Sequence, residues 1–200
     1  MSNPQTLRRA DREATDHVKA VQTRRSLVEA LRAAADLDLE SPSVTWICRQ
    51  AGVGRSTFYT HFATIEDLAL FTITEAFAAT AELDLSRRSA HEADRRTIAR
   101  AGLARLAEAF DSGRDVIRYA IRIGSRGAVI ERLVAEFMRL TGRTVALEYR
   151  DLPASKIDVL TAYVSAGTVR AFMLWLEEDA PDRDELIDQL LELLPPGLAR

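Results

Sequence analysis

Apolar residues recur at intervals of three and four along nearly the whole chain, and the alternating runs expected of strands are scarce, so the pattern predicts an all-α protein. Leu27, Ala30, Leu31 and Ala34 mark one face of a first helix from about Thr23 to Leu37, preceded by a polar, frayed or partly helical arm over residues 1–20. Beyond a loop at Ser41-Pro42-Ser43, Val44, Ile47, Cys48 and Ala51 follow the i, i+3, i+4, i+7 rule and predict a short helix over 44–50 with Ser43 as its N-cap. Gly52 ends it, because the residue past a helix end adopts a left-handed conformation that glycine takes without steric cost. A second short helix, from Gly54 or Arg55 to about His61, turns Val53, Phe58 and Phe62 inward. Two short helices joined by a tight glycine turn, with small Ala51 and Gly52 at the crossing, are the geometry of a helix-turn-helix. Thr64 then opens a long helix to about Leu83, with Glu66 and Asp67 in the first turn where the helix dipole favours carboxylates.

Further helices are predicted over about 94–111, 114–123, 128–148, 154–178 and 182–194, separated by Ser112-Gly113, residues 124–127, Pro153, Pro181 and Pro195-Pro196. The polar stretch SRRSAHEADRR around His91 reads as a linker. In the penultimate helix Ile157, Leu160, Val164, Gly167, Ala171 and Leu174 recur at seam spacing, and Gly167 and Ala171 are small enough to admit another backbone. The last helix sets Leu186, Ile187, Leu190, Leu191, Leu193 and Leu194 beside five acids. Such apolar terminal helices predict a homodimeric four-helix interface carried by Ile157, Leu160, Val164, Gly167, Ala171, Leu174, Leu186 and Leu190, with internal core as the alternative.

Charge changes the picture when it is divided. Residues 1–63 carry nine Lys/Arg against seven acids, whereas residues 64–200 carry 18 against 23, so the overall charge of −3 belongs to the second part. From Ser41 to Ile65 there is no Asp or Glu, although 30 of the 200 residues are acidic. A carboxylate-free segment bearing Arg55, hydroxyls, Tyr59 and His61 is built to face negative charge. One cysteine, Cys48, excludes an internal disulfide framework and a CxxC zinc site, and it reads as a small buried hydrophobe before a reactive thiol. Three dispersed histidines, with no GxSxG, HExxH, Walker A or dinucleotide glycine pattern, argue against an enzyme, a metal site and a bound cofactor. There is no run of 18 apolar residues, and MSNPQTLRRADREATDHVKAV lacks a signal-peptide core, so a cytoplasmic protein is expected.

The segment VTWICRQAGVGRSTFYTHFATIEDL, residues 44–68, resembles the DNA-binding signature of the tetracycline-repressor family of bacterial transcriptional regulators. The matching positions are Ile47-Cys48, Ala51-Gly52-Val53, Thr57, Tyr59, Phe62 and Glu66 to Leu68, within about 45 residues from the first helix to the start of the fourth. The resemblance implies an arm (1–20), a helix-turn-helix DNA-binding domain (21–66) and a helical effector-binding and dimerisation domain (67–200). It further implies a homodimer on a palindromic double-stranded operator, with the helix from Arg55 to His61 as the recognition helix. The expected DNA-contacting residues are Ser43, Thr45, Arg55, Ser56, Thr57, Tyr59, Thr60 and His61. Arg55 can fork onto guanine, Ser56 and Thr57 can donate to either base edges or phosphate, and the Thr methyl can touch thymine. Tyr59 has a second reading, packed on the neighbouring helix with its hydroxyl in water.

Three positions depart from the family pattern. Ile65 replaces a common phosphate-binding lysine, Gly54 replaces a Ser/Thr cap, and Trp46 stands where a polar residue is usual, either packed on the first helix or exposed near DNA. In the second domain a small, largely apolar effector is expected, lined by Tyr119, Phe137 and Tyr163. Arg114, Arg118, Arg122 and Arg126 recur every four residues, as a solvated face paired with acids, an anion site, or a brace toward the DNA-binding domain. The leading expectation is a ligand-responsive repressor; the alternative is a helical small-molecule carrier or interaction module without DNA binding.

Overall fold

The computed structural model describes residues 4–37, 42–177 and 182–199, so Ser41 of the expected loop, Glu178 and Pro181 lie outside the described residues. The described residues are helices and turns with no strand: α1 (Pro4–Asp36), α2 (Val44–Ala51), α3 (Arg55–His61), α4 (Ile65–Ala90), α5 (Arg95–Ser112), α6 (Arg114–Ile123), α7 (Arg126–Glu148), α8 (Ala154–Trp175), α9 (Arg183–Leu193) and α10 (Pro196–Ala199). They form two compact units, Met1–Ala69 and Leu70–Arg200.

In the first unit α1 packs on α2, and α2 on α3. Leu27, Leu31, Ile47, Phe58 and Leu68 are fully buried there. α1 starts at Pro4, well before the expected Thr23, because residues 5–22 contain no glycine or further proline, and proline at the first helical position loses no hydrogen bond. The apolar periodicity beginning near Thr23 therefore marks where the helix meets the core, not where it starts. α4 opens with a reciprocal cap: the Thr64 N–H donates to Asp67 Oδ2 and the Asp67 N–H to Thr64 Oγ1, both at 3.0 Å.

The second unit is organised around stacked rings. Phe77 of α4 meets Phe110 of α5 at 5.1 Å and Phe137 of α7 at 5.7 Å between centroids, and Phe110 stacks on Phe172 of α8 at 4.9 Å. α8 lies along α7, and α9 and α10 both pack on α5. By length and composition α8 is also long and apolar enough to cross a membrane.

Two parts of this unit differ from the sequence reading. Ser86–Ala90 belong to α4, so the expected linker shrinks to a turn at residues 91–94, where His91 takes a positive φ of 51°. Pro195-Pro196 does not end the ordered chain, because Pro196 starts α10. Tyr149 holds it: the Gly197 N–H donates to Tyr149 Oη at 2.8 Å, and a Cβ at Gly197 would lie 2.6 Å from the Tyr149 ring.

Arg88 is a buried polar side chain bonded to three separate acceptors. It is 3% exposed and donates through Nε to Asp84 Oδ2 (2.8 Å), through Nη1 to Glu148 Oε1 (3.0 Å) and through Nη2 to the Leu198 carbonyl (3.0 Å). Glu148 Oε2 accepts from Arg95 Nε at 2.7 Å. Burial pushes the Glu148 carboxyl up, but hydrogen bonds from Arg95 and Arg88 outweigh it and hold the group below the usual carboxylate range.

Arg88→Met should destabilise the second unit by about 3–5 kcal/mol, because it leaves two half-buried carboxylates without their shared partner; urea denaturation reads the loss. A folded-state value lowered at Glu148 means that its contribution is present above the ordinary carboxylate range and is lost as pH falls through the lowered value. Glu148→Gln should therefore flatten the acid side of the stability profile, and an unaltered acid limb would contradict this role.

Candidate functional site

The expected DNA-contacting residues lie together on α2, α3 and the turns before them. Ser43, in extended backbone, accepts the Trp46 N–H on Oγ at 3.1 Å and so starts α2. At the far end Gly52 takes φ 68° and ψ 28°, and the Val53 N–H returns to the Cys48 carbonyl at 3.0 Å, reversing the chain within one residue. Gly54 then opens α3 without a side-chain cap, as its lack of a hydroxyl requires.

Burial of Phe58 sets the rotation of α3. With that ring inside, packed edge-on to Tyr59 at 5.4 Å, Arg55, Ser56, Tyr59 and Thr60 are exposed and Thr57 and His61 half-buried. Tyr59 keeps 51% of its surface in water, so its ring both packs and presents its hydroxyl. Thr60 Oγ1 donates to the Ser56 carbonyl at 3.0 Å, which commits its proton to the helix and leaves its lone pairs and methyl outward. Thr45 is exposed on α2 and Trp46 half-buried. Cys48 is buried; desolvation raises its thiol, against the opposing pull of Arg55, which marks it as structural.

The second unit contains a cavity of about 90 Å³ lined by residues of α4, α5, α7 and α8, with Leu194 and Leu198 also bordering it. Phe77, Leu103, Leu106 and Phe137 supply apolar wall, while Thr80, Asp84, Thr141, Thr144 and Thr168 supply oxygens. Of the three expected lining residues only Phe137 borders it. Tyr119 is buried elsewhere in the unit, with Arg122 over its ring at 5.8 Å, and Tyr163 points to solvent. The bordering polar residues went unrecognised because threonines and an Asp–Arg pair one turn apart carry no distinctive pattern.

The expected dimer residues divide in the same way. Val164, Leu186 and Leu190 are buried within the chain, and Ile157 and Leu160 are half-buried against the Val145–Val164–Leu198 cluster. The open apolar stripe of α8 runs through Val159 (70% exposed), Tyr163 (66%), Gly167 and Leu174 (63%), with Leu193 of α9 (70%) also open, so Gly167 and Leu174 of the expected set lie on it. Ala171 is half-buried, and a Cβ on Gly167 would touch nothing within 4 Å in the same chain.

The arginine repeat of α6 and the first residue of α7 is engaged locally. Arg114 donates to Asp111 (3.0 Å) and the Leu176 carbonyl (3.1 Å) and lies over Trp175, Arg118 faces Asp115 at 3.7 Å, and Arg126 pairs with Glu177.

No protein-family profile matches the chain, and no curated protein matches it. Among solved structures, the crystal structure of RolR in complex with the ligand resorcinol superimposes over 92% of each chain with a TM-score of 0.55, at 20% identity. The all-α fold expected from the apolar periodicity is thus the fold of this chain, and it is shared with that structure.

Ser43→Ala removes the α2 cap and should cost about 1 kcal/mol. Gly52→Ala, placed at φ 68° in open space, should cost about 1 kcal/mol through backbone strain alone. Chemical denaturation of both variants measures these losses.

Proposed function

We propose that this chain is a DNA-binding transcriptional regulator of the tetracycline-repressor family: a cytoplasmic repressor that binds a palindromic operator as a homodimer and is released by a small, largely apolar effector. The observation that carries the reading is the carboxylate-free α2–α3 surface, where one buried ring, Phe58, leaves Arg55, Ser56, Tyr59 and Thr60 exposed together. In the major groove Arg55 reads guanine O6 and N7, Ser56 and Thr57 contact base edges, and Ser43, Thr45, Tyr59, Thr60 and His61 position the helix on phosphates.

The stripe of Val159, Tyr163, Gly167 and Leu174 with Leu193 supports pairing of two copies through α8 and α9, which covers apolar surface that one chain leaves in water. The cavity beside Phe77 and Phe137 supports a small-molecule effector, and the shared fold with a protein crystallised with resorcinol favours the same reading. Effector binding would favour a dimer whose two recognition helices no longer match successive major grooves ~34–36 Å apart, which requires only different affinities of effector and operator for the two states. Function by binding, not catalysis, follows from this reading.

Selection of bound fragments from sheared genomic DNA, followed by footprinting, should recover a palindromic site. Random fragments from a folded, dimeric protein would replace this reading with a carrier or interaction module. Arg55→Ala should cost about 1–3 kcal/mol at one base position and relax the preference there, whereas Tyr59→Phe should weaken binding evenly across sequences; unchanged affinity in both would remove α3 as the recognition helix.

A further inference from the structure

A second pocket, of about 420 Å³, opens at the turn between α4 and α5, beside the end of α7 and away from the Phe77 and Phe137 wall of the cavity. That volume falls within the ~300–1,000 Å³ of small-molecule sites. Arg88, His91, Asp94, Arg95, Glu148 and Arg150 supply its titratable side chains, over an apolar floor that includes buried Ile98.

The acids of this pocket are engaged within the chain, and most of its bases are not. Asp94 Oδ1 accepts the Thr97 N–H at 2.9 Å and Oδ2 the Thr97 hydroxyl at 2.7 Å. Glu148 Oε1 accepts from Arg88 at 3.0 Å and Oε2 from Arg95 Nε at 2.7 Å, and Glu92, next to His91, faces Arg87 at 3.7 Å. Arg95 gives only Nε, so its two terminal nitrogens have no acceptor among the described residues, and the exposed Arg150 and His91 side chains pair with no acid there. Arg88, Arg95 and Arg150 against Asp94 and Glu148 leave one positive charge in excess before His91 is counted. His91 sits at φ 51°, with its N–H and that of Glu92 returning to the Arg88 and Arg87 carbonyls at 3.2 Å. Glycine would end α4 in that conformation without steric cost, so the helix end alone does not account for an imidazole on the rim. A cation entering here would meet excess positive charge and acids already occupied, and an uncharged apolar molecule would strip water from free donors. An oxyanion meets neither penalty, because guanidinium forks match its oxygens.

We infer that this pocket binds a small phosphate-bearing anion, held by the terminal nitrogens of Arg95, by Arg150 and by His91. The three donors come from separate segments, the α4–α5 turn, the start of α5 and the residues after α7, and a phosphate presents three acceptor oxygens where a carboxylate presents two in one plane. The site is independent of the effector cavity and of the DNA-binding surface proposed above.

The test is calorimetric titration of the intact protein, without DNA, at neutral pH and fixed ionic strength with pyrophosphate and with acetate. Pyrophosphate should bind saturably and at least about tenfold more tightly than acetate, as additional hydrogen bonds between charged groups require. Arg150→Gln, and His91→Asn, which puts a residue tolerant of the left-handed backbone in place of the imidazole, should melt near the wild-type temperature and each weaken pyrophosphate at least about fivefold. No saturable binding, acetate binding as tightly as pyrophosphate, or unchanged affinity in a folded Arg150→Gln or His91→Asn would each overturn the inference. Loss of pyrophosphate binding in Arg55→Ala would assign the anion to the α3 surface and overturn it as well. If a variant fails to fold, the amide shifts of the wild-type protein decide: changes centred on residues 88–98 and 147–150 support the site, and changes centred elsewhere sink it.

Discussion

A guanidinium cannot shed its proton inside a protein, so a buried arginine forces its surroundings to supply acceptors. Arg88 imposes that condition on the second unit. Asp84 stands one turn earlier on α4, Glu148 ends α7, and the Leu198 carbonyl comes from α10, while Arg95 at the start of α5 holds the other oxygen of Glu148. Four helices are thereby tied to one charge cluster, and hydrogen bonds from Arg95 and Arg88 hold the Glu148 carboxyl below the usual carboxylate range. The cavity lies beside this cluster and shares Asp84 and Arg88 with it.

The first unit follows the opposite logic. α2 and α3 are too short to be stable alone, so a few buried rings and aliphatic side chains hold them while the outer surface stays polar and open. Burial of Phe58 rotates α3, the Ser43 cap starts α2, and the left-handed Gly52 sets the reversal between them. Each of these acts on backbone direction, and none uses the exposed polar side chains of α3. Arg55, Ser56, Tyr59 and Thr60 consequently keep their polar ends exposed, although the Tyr59 ring packs on Phe58 and Thr60 makes an internal hydrogen bond.

Between the inner face of α8, which rests on α7, and its open stripe there is little polar separation. Leu160 and Ala171 fall between Val164 and Phe172 on one side and Tyr163 and Leu174 on the other, so apolar residues surround much of the helix. This is why the seam spacing takes in Gly167 and Leu174 of the open stripe together with Val164, which turns inward.

What the sequence determined by itself was local: helical type throughout, and the limits of α2, α3, α6 and α9 to within about a residue, because Ser, Asp, Gly and Pro punctuate their ends through short-range hydrogen bonds and backbone sterics. The polar set of α3 was legible for the same reason, since one buried aromatic in a short helix leaves few choices of face. The tertiary structure alone decided that Arg88 is buried with Glu148, that α10 forms against Tyr149, that Phe137 borders the cavity while Tyr119 and Tyr163 do not, and that Val164, Leu186 and Leu190 turn inward. Those outcomes depend on contacts between residues tens of positions apart, and spacing along one helix can show that a face is apolar without showing what covers it.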